Sequence, residues 1–184
     1  LHQDGITVTW SLGFQKKYSF INFRAARITY DEVELLLQRV ADESYPFPWD
    51  IHRGTILTTT VRHHSFIPKY HLVAIDTEED VEEFCNWYLG YINGEGADFV
   101  QHYSYLPNVL KRMDELVEAG LTWQYPDKGI LSGTLDARFR GLIISKLCND
   151  PNFERKIAWC DEGFYDGTND KWLPYYEKLK AEVI

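Results

Sequence analysis

Strand-type sequence precedes Asp76 in this chain, and helical periodicity follows it. Before that residue, β-branched and aromatic residues cluster in short runs between turn residues. After it, apolar residues recur at spacings of three and four over several long segments. This separation argues against a βαβ repeat and predicts an α+β domain. We expect an amino-terminal antiparallel sheet of about four strands, covered by about five to six helices that are mostly carboxy-terminal.

The strands are expected in two pairs. The stretch "GITVTWSLGFQKKYSFINF", residues 5–23, predicts two strands around a turn because Gly13 and the polar residues 15–17 interrupt it. Residues 55–66 and 70–75 predict a second pair, joined by Ile67-Pro68-Lys69. The intervening "YPFPW", residues 45–49, predicts a rigid connector, since each proline disfavours helix in the residue before it.

Capping signals predict where the helices begin and end. Thr29 and Glu32 have the spacing of a capping box, and Asp76 or Thr77 is expected to cap the second helix. "NGEG", residues 93–96, should end or interrupt that helix, and Gly120 should end the third. The fourth, opened by Thr134, is the most apolar and is expected to be central. Four helical faces should point inward: Val33, Leu36, Leu37, Val40; Val81, Phe84, Cys85, Tyr88, Ile92; Phe153, Ile157, Cys160; and Trp172, Tyr176, Leu179, Val183.

Length and charge limit the class of protein. The 184 residues fit one globular domain spanning 1–184. Nineteen Lys and Arg against 28 Asp and Glu give a net charge of −9, which repels phosphate backbones, so we expect no nucleic-acid partner. Such a surface attracts a basic protein or a cationic ligand, although solubility alone also explains it.

Cysteine use and hydropathy bear on location. Three cysteines without a CxxC pair favour buried thiols over disulfides or zinc ligands, and so a reducing, cytoplasmic compartment. The apolar runs are far shorter than the roughly 20 residues of a spanning helix, and no charged-then-apolar leader opens the sequence. We therefore expect no membrane association.

A histidine-rich stretch, "TTTVRHHSFIPKYHLVAID" (residues 58–76), raises the question of a catalytic or metal site. Adjacent strand residues face opposite sides of a sheet, so His63 and His64 cannot both join His71 across a hairpin. Which of them does so depends on the register. Two imidazoles form an incomplete zinc site, and we expect no metal. The alternative is a hydrolase or metal-dependent enzyme that uses His64, His71 and Asp76.

Other motifs lack the context that their chemistry requires. "GILSG", residues 129–133, is not the G-x-S-x-G of a nucleophile elbow. The glycines of "GYINGEG", residues 90–96, follow a helix rather than a strand, which disfavours a phosphate loop. "DEGFYDGTND", residues 161–170, places Phe164 where a calcium ligand belongs. We therefore expect no bound cofactor.

Aromatic residues suggest a binding surface. Tyr and Trp are enriched in protein interfaces, and an acidic rim suits a basic partner. Loop positions predict five binding residues, although core packing is the alternative for most of them: Trp49, Tyr103, Tyr105, Trp123 and Tyr125.

Three segments between Ala74 and Trp159 carry a resemblance: "AIDTEEDVEEFCNWYLGYI", "DFVQHYSYLPNVLKRM" and "RFRGLIISKLCNDPNFERKI". Their helix order and apolar pattern resemble small bacterial proteins of unknown function, some of which are encoded among toxin–immunity genes. The resemblance covers under half of the chain. It implies a bacterial cytoplasmic protein that works by binding. The resulting hypothesis is an acidic, immunity-type binding protein that engages a basic protein partner.

Overall fold

The predicted α+β class is confirmed by the computed structural model, which describes residues 2–15, 20–41, 59–63, 72–124 and 128–184. Antiparallel strands come first in the chain, and six of the helices follow them. The strands are β1 (His2–Gln3), β2 (Ile6–Gln15), β3 (Phe20–Tyr30), β4 (Val61–Arg62) and β5 (Leu72–Ala74). The helices are α1 (Asp31–Val40), α2 (Glu78–Asn93), α3 (Glu95–Tyr103), α4 (Leu106–Glu118), α5 (Asp136–Leu147), α6 (Phe153–Phe164) and α7 (Leu173–Glu182).

The long β2–β3 pair forms the framework of the sheet and confirms the first predicted hairpin. Its register shifts by one residue between Thr9 and Ser11, so β3 contains one extra residue there. The shift changes the alternation of side chains along β3. Phe23 and Ile28 are both buried, although five positions separate them in sequence. The bulge thus lets β3 bury Ile28 in the main core and Phe23 in a smaller cluster with Phe84 and Tyr91.

The second predicted hairpin is wrong. β4 pairs antiparallel with Arg27 and Ile28, and β5 pairs antiparallel with residues 20–22 of the same strand. Because β2 occupies the other edge of β3, β4 and β5 lie one after the other along one edge and run in the same direction. They are therefore not two arms of a hairpin. The outer side of β4 meets Leu131 through an isolated bridge.

Helix α5 is the centre of the helical layer, as its apolar sequence predicted. It contacts α1, α4 and α6, while α7 packs on α1. Nine of its residues are buried, including Phe139, Leu142, Ile143 and Ile144. Burial of apolar area is the main stabilising term in such a core.

The predicted helix boundaries are confirmed at Thr77 and Gly120 and are wrong at Thr29. Thr77 caps α2, and its hydroxyl and the Asp80 carboxylate form a capping box. The α4 helix ends at Gly120, which has φ 72° and the paired hydrogen bonds of a Schellman motif. The Thr29 capping box is wrong: Thr29 pairs with Thr7 in the sheet, and β3 continues to Tyr30.

Helix α2 buries part of the predicted face, since Phe84 is buried and Tyr88 and Ile92 pack partly buried against the same cluster. Phe84 and Tyr91 are buried against Phe23, whereas Val81 and Cys85 are exposed. Because the larger aromatic side chains of α2 pack against Phe23, the smaller Val81 and Cys85 lie on the outer side of the helix. Among the residues described, no helix is long and apolar enough to cross a bilayer.

Candidate functional site

The structure does not assemble the predicted histidine site. His64 and His71 lie outside the described residues. Asp76 is exposed just before the α2 cap, and its backbone N–H donates to the Asp80 Oδ2 atom at 3.1 Å. The expectation that either His63 or His64 joins His71 across a hairpin also loses its basis, since β4 and β5 run in the same direction. In the parts of the chain that the structure describes, no three His, Cys, Asp or Glu side chains are placed to hold a metal ion.

His63 joins the sheet edge to two helices. Its Nδ1 atom lies 2.8 Å from the Tyr91 hydroxyl, and its Nε2 atom lies 3.3 Å from the Glu95 carboxylate. The Ala26 N–H donates to the same hydroxyl oxygen at 2.9 Å, which leaves the hydroxyl proton to donate to Nδ1. Burial is the main cause that raises the pKa of Tyr91 to about 12, so its phenol stays neutral. These contacts tie β4 to α2 and α3.

Of the five predicted binding aromatics, only Tyr105 is exposed among those described. Its side chain is 63% accessible at the residue before α4. Tyr103 is partly buried against Phe99. Trp123 is completely buried, and its indole N–H donates to the Ala137 carbonyl at 3.1 Å, which is inconsistent with an exposed anchor. Trp49 and Tyr125 lie outside the described residues.

The strongest surface feature is a concentration of negative charge on α2 and α3. Residues 70–110 contain no Lys or Arg. They carry a formal charge of −8, nearly all of the chain's −9. The eight carboxylates define what we call the acidic surface: Asp76, Glu78, Glu79, Asp80, Glu82, Glu83, Glu95 and Asp98. All but Asp80 are exposed residues.

An apolar stripe lies within the acidic surface. Val81, Cys85 and Leu89 follow one another at spacings of four along α2, so they lie on one side of the helix. Val81 is 41% exposed and Leu89 is 52% exposed. Glu78 and Glu82 share this side, because they precede Val81 and Cys85 by three residues. The outer side of α2 therefore presents apolar area beside carboxylates.

Hydrogen bonds hold the start of the acidic surface in place. The Asp80 carboxylate accepts from the Thr77 hydroxyl and from the backbone N–H groups of Asp76 and Thr77. The Thr77 hydroxyl bond is the largest cause that lowers the pKa of Asp80. Glu78 and Glu79 stand in the first turn, where the helix dipole favours negative charge.

A second polar cluster is buried between α1 and α5. Arg140 donates through Nε and Nη2 to both carboxylate oxygens of Glu34, at 2.8 and 3.0 Å. Its Nη1 atom donates to Asp136 at 2.5 Å. Burial alone lowers the pKa of Arg140, but the two carboxylates outweigh burial and raise it. With Glu34 fully buried, this cluster is a strut rather than an accessible site.

Ser132 of "GILSG" belongs to the same strut. Its hydroxyl accepts from the Arg62 Nε atom at 2.8 Å, and its carbonyl accepts from Arg140 at 2.9 Å. Thr60 donates to Glu34 at 2.7 Å. These bonds join β4 to the helices and give Ser132 a structural role.

Sequence reasoning missed both the acidic surface and the strut. The absence of basic residues between 70 and 110 was visible in the sequence, but averaging charge over the whole chain hid it. The strut had no local signal, since Glu34 and Arg140 are 106 residues apart.

Comparisons with protein-family models, with curated proteins and with solved structures find no match to this chain.

Proposed function

We propose that this chain is a protein-binding protein whose acidic surface engages a basic partner, and that it acts as an immunity-type protein by covering that partner. The observation that carries the proposal is the charge of −8 concentrated on residues 70–110. A field of one sign on one surface accelerates encounter with an oppositely charged protein and orients it.

The apolar stripe supplies affinity that charge alone does not provide. Exposed ion pairs contribute little affinity, commonly about 0–1 kcal/mol each, because water and salt screen them. Burying Val81 and Leu89 against a partner removes apolar area from water, which stabilises the complex. The surface thus combines carboxylates that steer the partner with side chains that hold it. The exposed Tyr105 adds an aromatic anchor to this proposal.

Two paired charge variants test the acidic surface. E78Q/E82Q removes two carboxylates beside the stripe and keeps their size. E154Q/E162Q is the matched control, because both residues are exposed on α6 and Glu154, like Glu78, stands in a first turn. Tagged wild-type and variant chains are used to retain proteins from a lysate of the source organism at low and high salt.

The expected result is a basic protein that wild type and the α6 control retain, that E78Q/E82Q retains poorly, and that high salt releases. Thermal unfolding of each variant confirms that the fold is intact. Retention of no basic protein by the wild type contradicts the proposal, as does equal retention by E78Q/E82Q.

The immunity-type role is tested on the retained protein itself. Its toxicity to a host cell, or its enzymatic activity, is measured with and without the wild-type chain. Suppression by wild type and weaker suppression by E78Q/E82Q are expected. Binding without any loss of toxicity or activity would leave a binding protein and refute the immunity role.

A further inference from the structure

A small pocket opens between α4 and α6, and its two walls differ in charge. Its volume is about 150 Å³. The α4 wall consists of two carboxylates and an apolar side chain, from Asp114, Glu118 and Val117. The α6 wall consists of an amide and two basic groups, from Asn152, Arg155 and Lys156. The indoles of Trp123 and Trp159 complete the lining.

The partly exposed Trp159 gives the pocket its aromatic wall, and the fully buried Trp123 packs against it. Trp123 and Trp159 meet edge to face, with ring centroids 4.8 Å apart. The Arg138 guanidinium lies 4.7 Å from the Trp159 ring centroid, so this indole already contacts one guanidinium from α5. Indole rings attract organic cations more strongly than the other aromatic side chains do.

The more buried of the two basic groups, Lys156, is already neutralised. Lys156 Nζ lies 2.5 Å from Asp114 Oδ1 and 2.6 Å from Asp150 Oδ2, so two carboxylates share one ammonium. Counting Asp150, which shares Lys156, three carboxylates stand against two basic groups, Lys156 and the exposed Arg155, so the pocket keeps a net charge of −1 that favours a cation over an anion. A ligand cation instead meets Asp114, whose side chain is 32% exposed, and the exposed Glu118 one turn further along α4.

We propose that this pocket binds a small planar organic cation of the guanidinium class. Aromatic and carboxylate surfaces together recognise such a group, which stacks on rings and donates hydrogen bonds in its plane. A cavity of about 150 Å³ admits a ligand of about the size of benzene. The pocket therefore takes a guanidinium and a few carbons. That group is supplied either by a free small molecule or by an arginine side chain of a protein.

The test compares methylguanidinium with N-methylurea, which has nearly the same shape and no charge. Each is titrated into the ¹⁵N-labelled full chain at constant ionic strength, and the indole N–H signals are followed by NMR. Acetyl-arginine-amide is titrated in parallel. The variants are Glu118→Gln for the cation contact, Trp159→Phe for the ring, and Glu154→Gln as an exposed control on α6 that does not line the pocket.

We expect saturable shifts of the Trp123 and Trp159 signals with methylguanidinium and none with N-methylurea. Loss of the Glu118 charge should weaken binding roughly fivefold, the size of one ion pair in a water-like dielectric. Trp159→Phe should weaken it roughly two- to fivefold. Glu154→Gln should have no effect. Equal binding of methylguanidinium and acetyl-arginine-amide indicates the free small molecule, and preference for the latter indicates an arginine side chain.

Absence of saturable shifts, equal shifts with N-methylurea, or unchanged binding by Glu118→Gln would overturn the inference. The inference stands apart from the proposed function. E78Q/E82Q lies outside the pocket and should bind methylguanidinium as wild type does, so the two proposals can fail separately.

Discussion

Replacing Arg140 with methionine should destabilise the protein more than any substitution at an exposed ion pair. Methionine keeps the length of the side chain but removes the charge and its hydrogen bonds to Glu34, Asp136 and the Ser132 carbonyl. Arg140 is only 3% exposed and Glu34 is fully buried, so water cannot take over these bonds. Two carboxylates then remain in the interior without their cation.

The expected cost is about 3–5 kcal/mol in the free energy of unfolding, the usual penalty for removing one partner of a buried ion pair. For a chain of this size, that cost lowers the thermal midpoint by roughly 6–20 °C. Urea unfolding followed by circular dichroism measures the free energy directly, and the same signal on heating gives the midpoint.

Arg112→Met is the matched control. Arg112 pairs with Glu115 at 3.0 Å, a distance similar to the Arg140–Glu34 bonds, but both side chains are more than 40% exposed. Its loss should cost about 0.5 kcal/mol or less. The double variant Glu34→Met/Arg140→Met removes a buried carboxylate together with its cation, so it should be more stable than Arg140→Met alone. The reasoning is refuted if the Arg140 and Arg112 variants lose equal stability.

Three further predictions concern single residues. Burial favours a raised pKa for Asp150, but hydrogen bonds, chiefly from Lys156, lower that pKa below its usual 3.8. The Asp150 carboxylate therefore stabilises the protein above pH 3.8, and this stabilisation is lost as the pH falls below that value. The difference in stability between wild type and Asp150→Asn should close as the pH falls from 5 to about 2. An invariant gap would refute this. Burial raises the pKa of the Cys160 thiol to about 12, whereas Cys85 is exposed. A thiol reagent at pH 8 should therefore modify Cys85 first, as followed by mass spectrometry. Modification of Cys160 before Cys85 would contradict this prediction. Gly120→Ala forces a φ of 72° on a residue with a Cβ and should cost about 1–2 kcal/mol in urea unfolding, while no loss would show that α4 can end differently.

Local sequence patterns predicted where strands and helices lie better than they predicted which strands pair. The β2–β3 hairpin, the Thr77 cap and the Gly120 terminus depend on residues close together in the chain, so spacing sufficed. The position of β4 and β5 on one edge of β3 depends on long-range pairing, which strand propensity does not encode. Thr29 shows the same limit, because sheet pairing overrode its capping spacing.

Burial of the aromatic residues was the other limit. Trp123 follows a helix end and precedes turn residues, which is typical of a surface loop. Its indole is nevertheless buried, because its N–H donates to the Ala137 carbonyl and its ring occupies the space that a side chain at Gly141 would fill. Tyr105 comes from a similar pattern and is exposed. The two differ only in what tertiary structure places beside them, which a single sequence does not reveal.

The dissociation constant of the complex with the retained basic protein, measured against salt, tests the central claim most directly. Wild type and E154Q/E162Q should bind equally. E78Q/E82Q should bind about tenfold more weakly at low salt, with the difference disappearing as the Debye length falls from about 30 Å at 0.01 M to about 3 Å at 1 M. Equal binding by all three chains at low salt, or equal weakening by the α6 control, would contradict a role for the acidic surface.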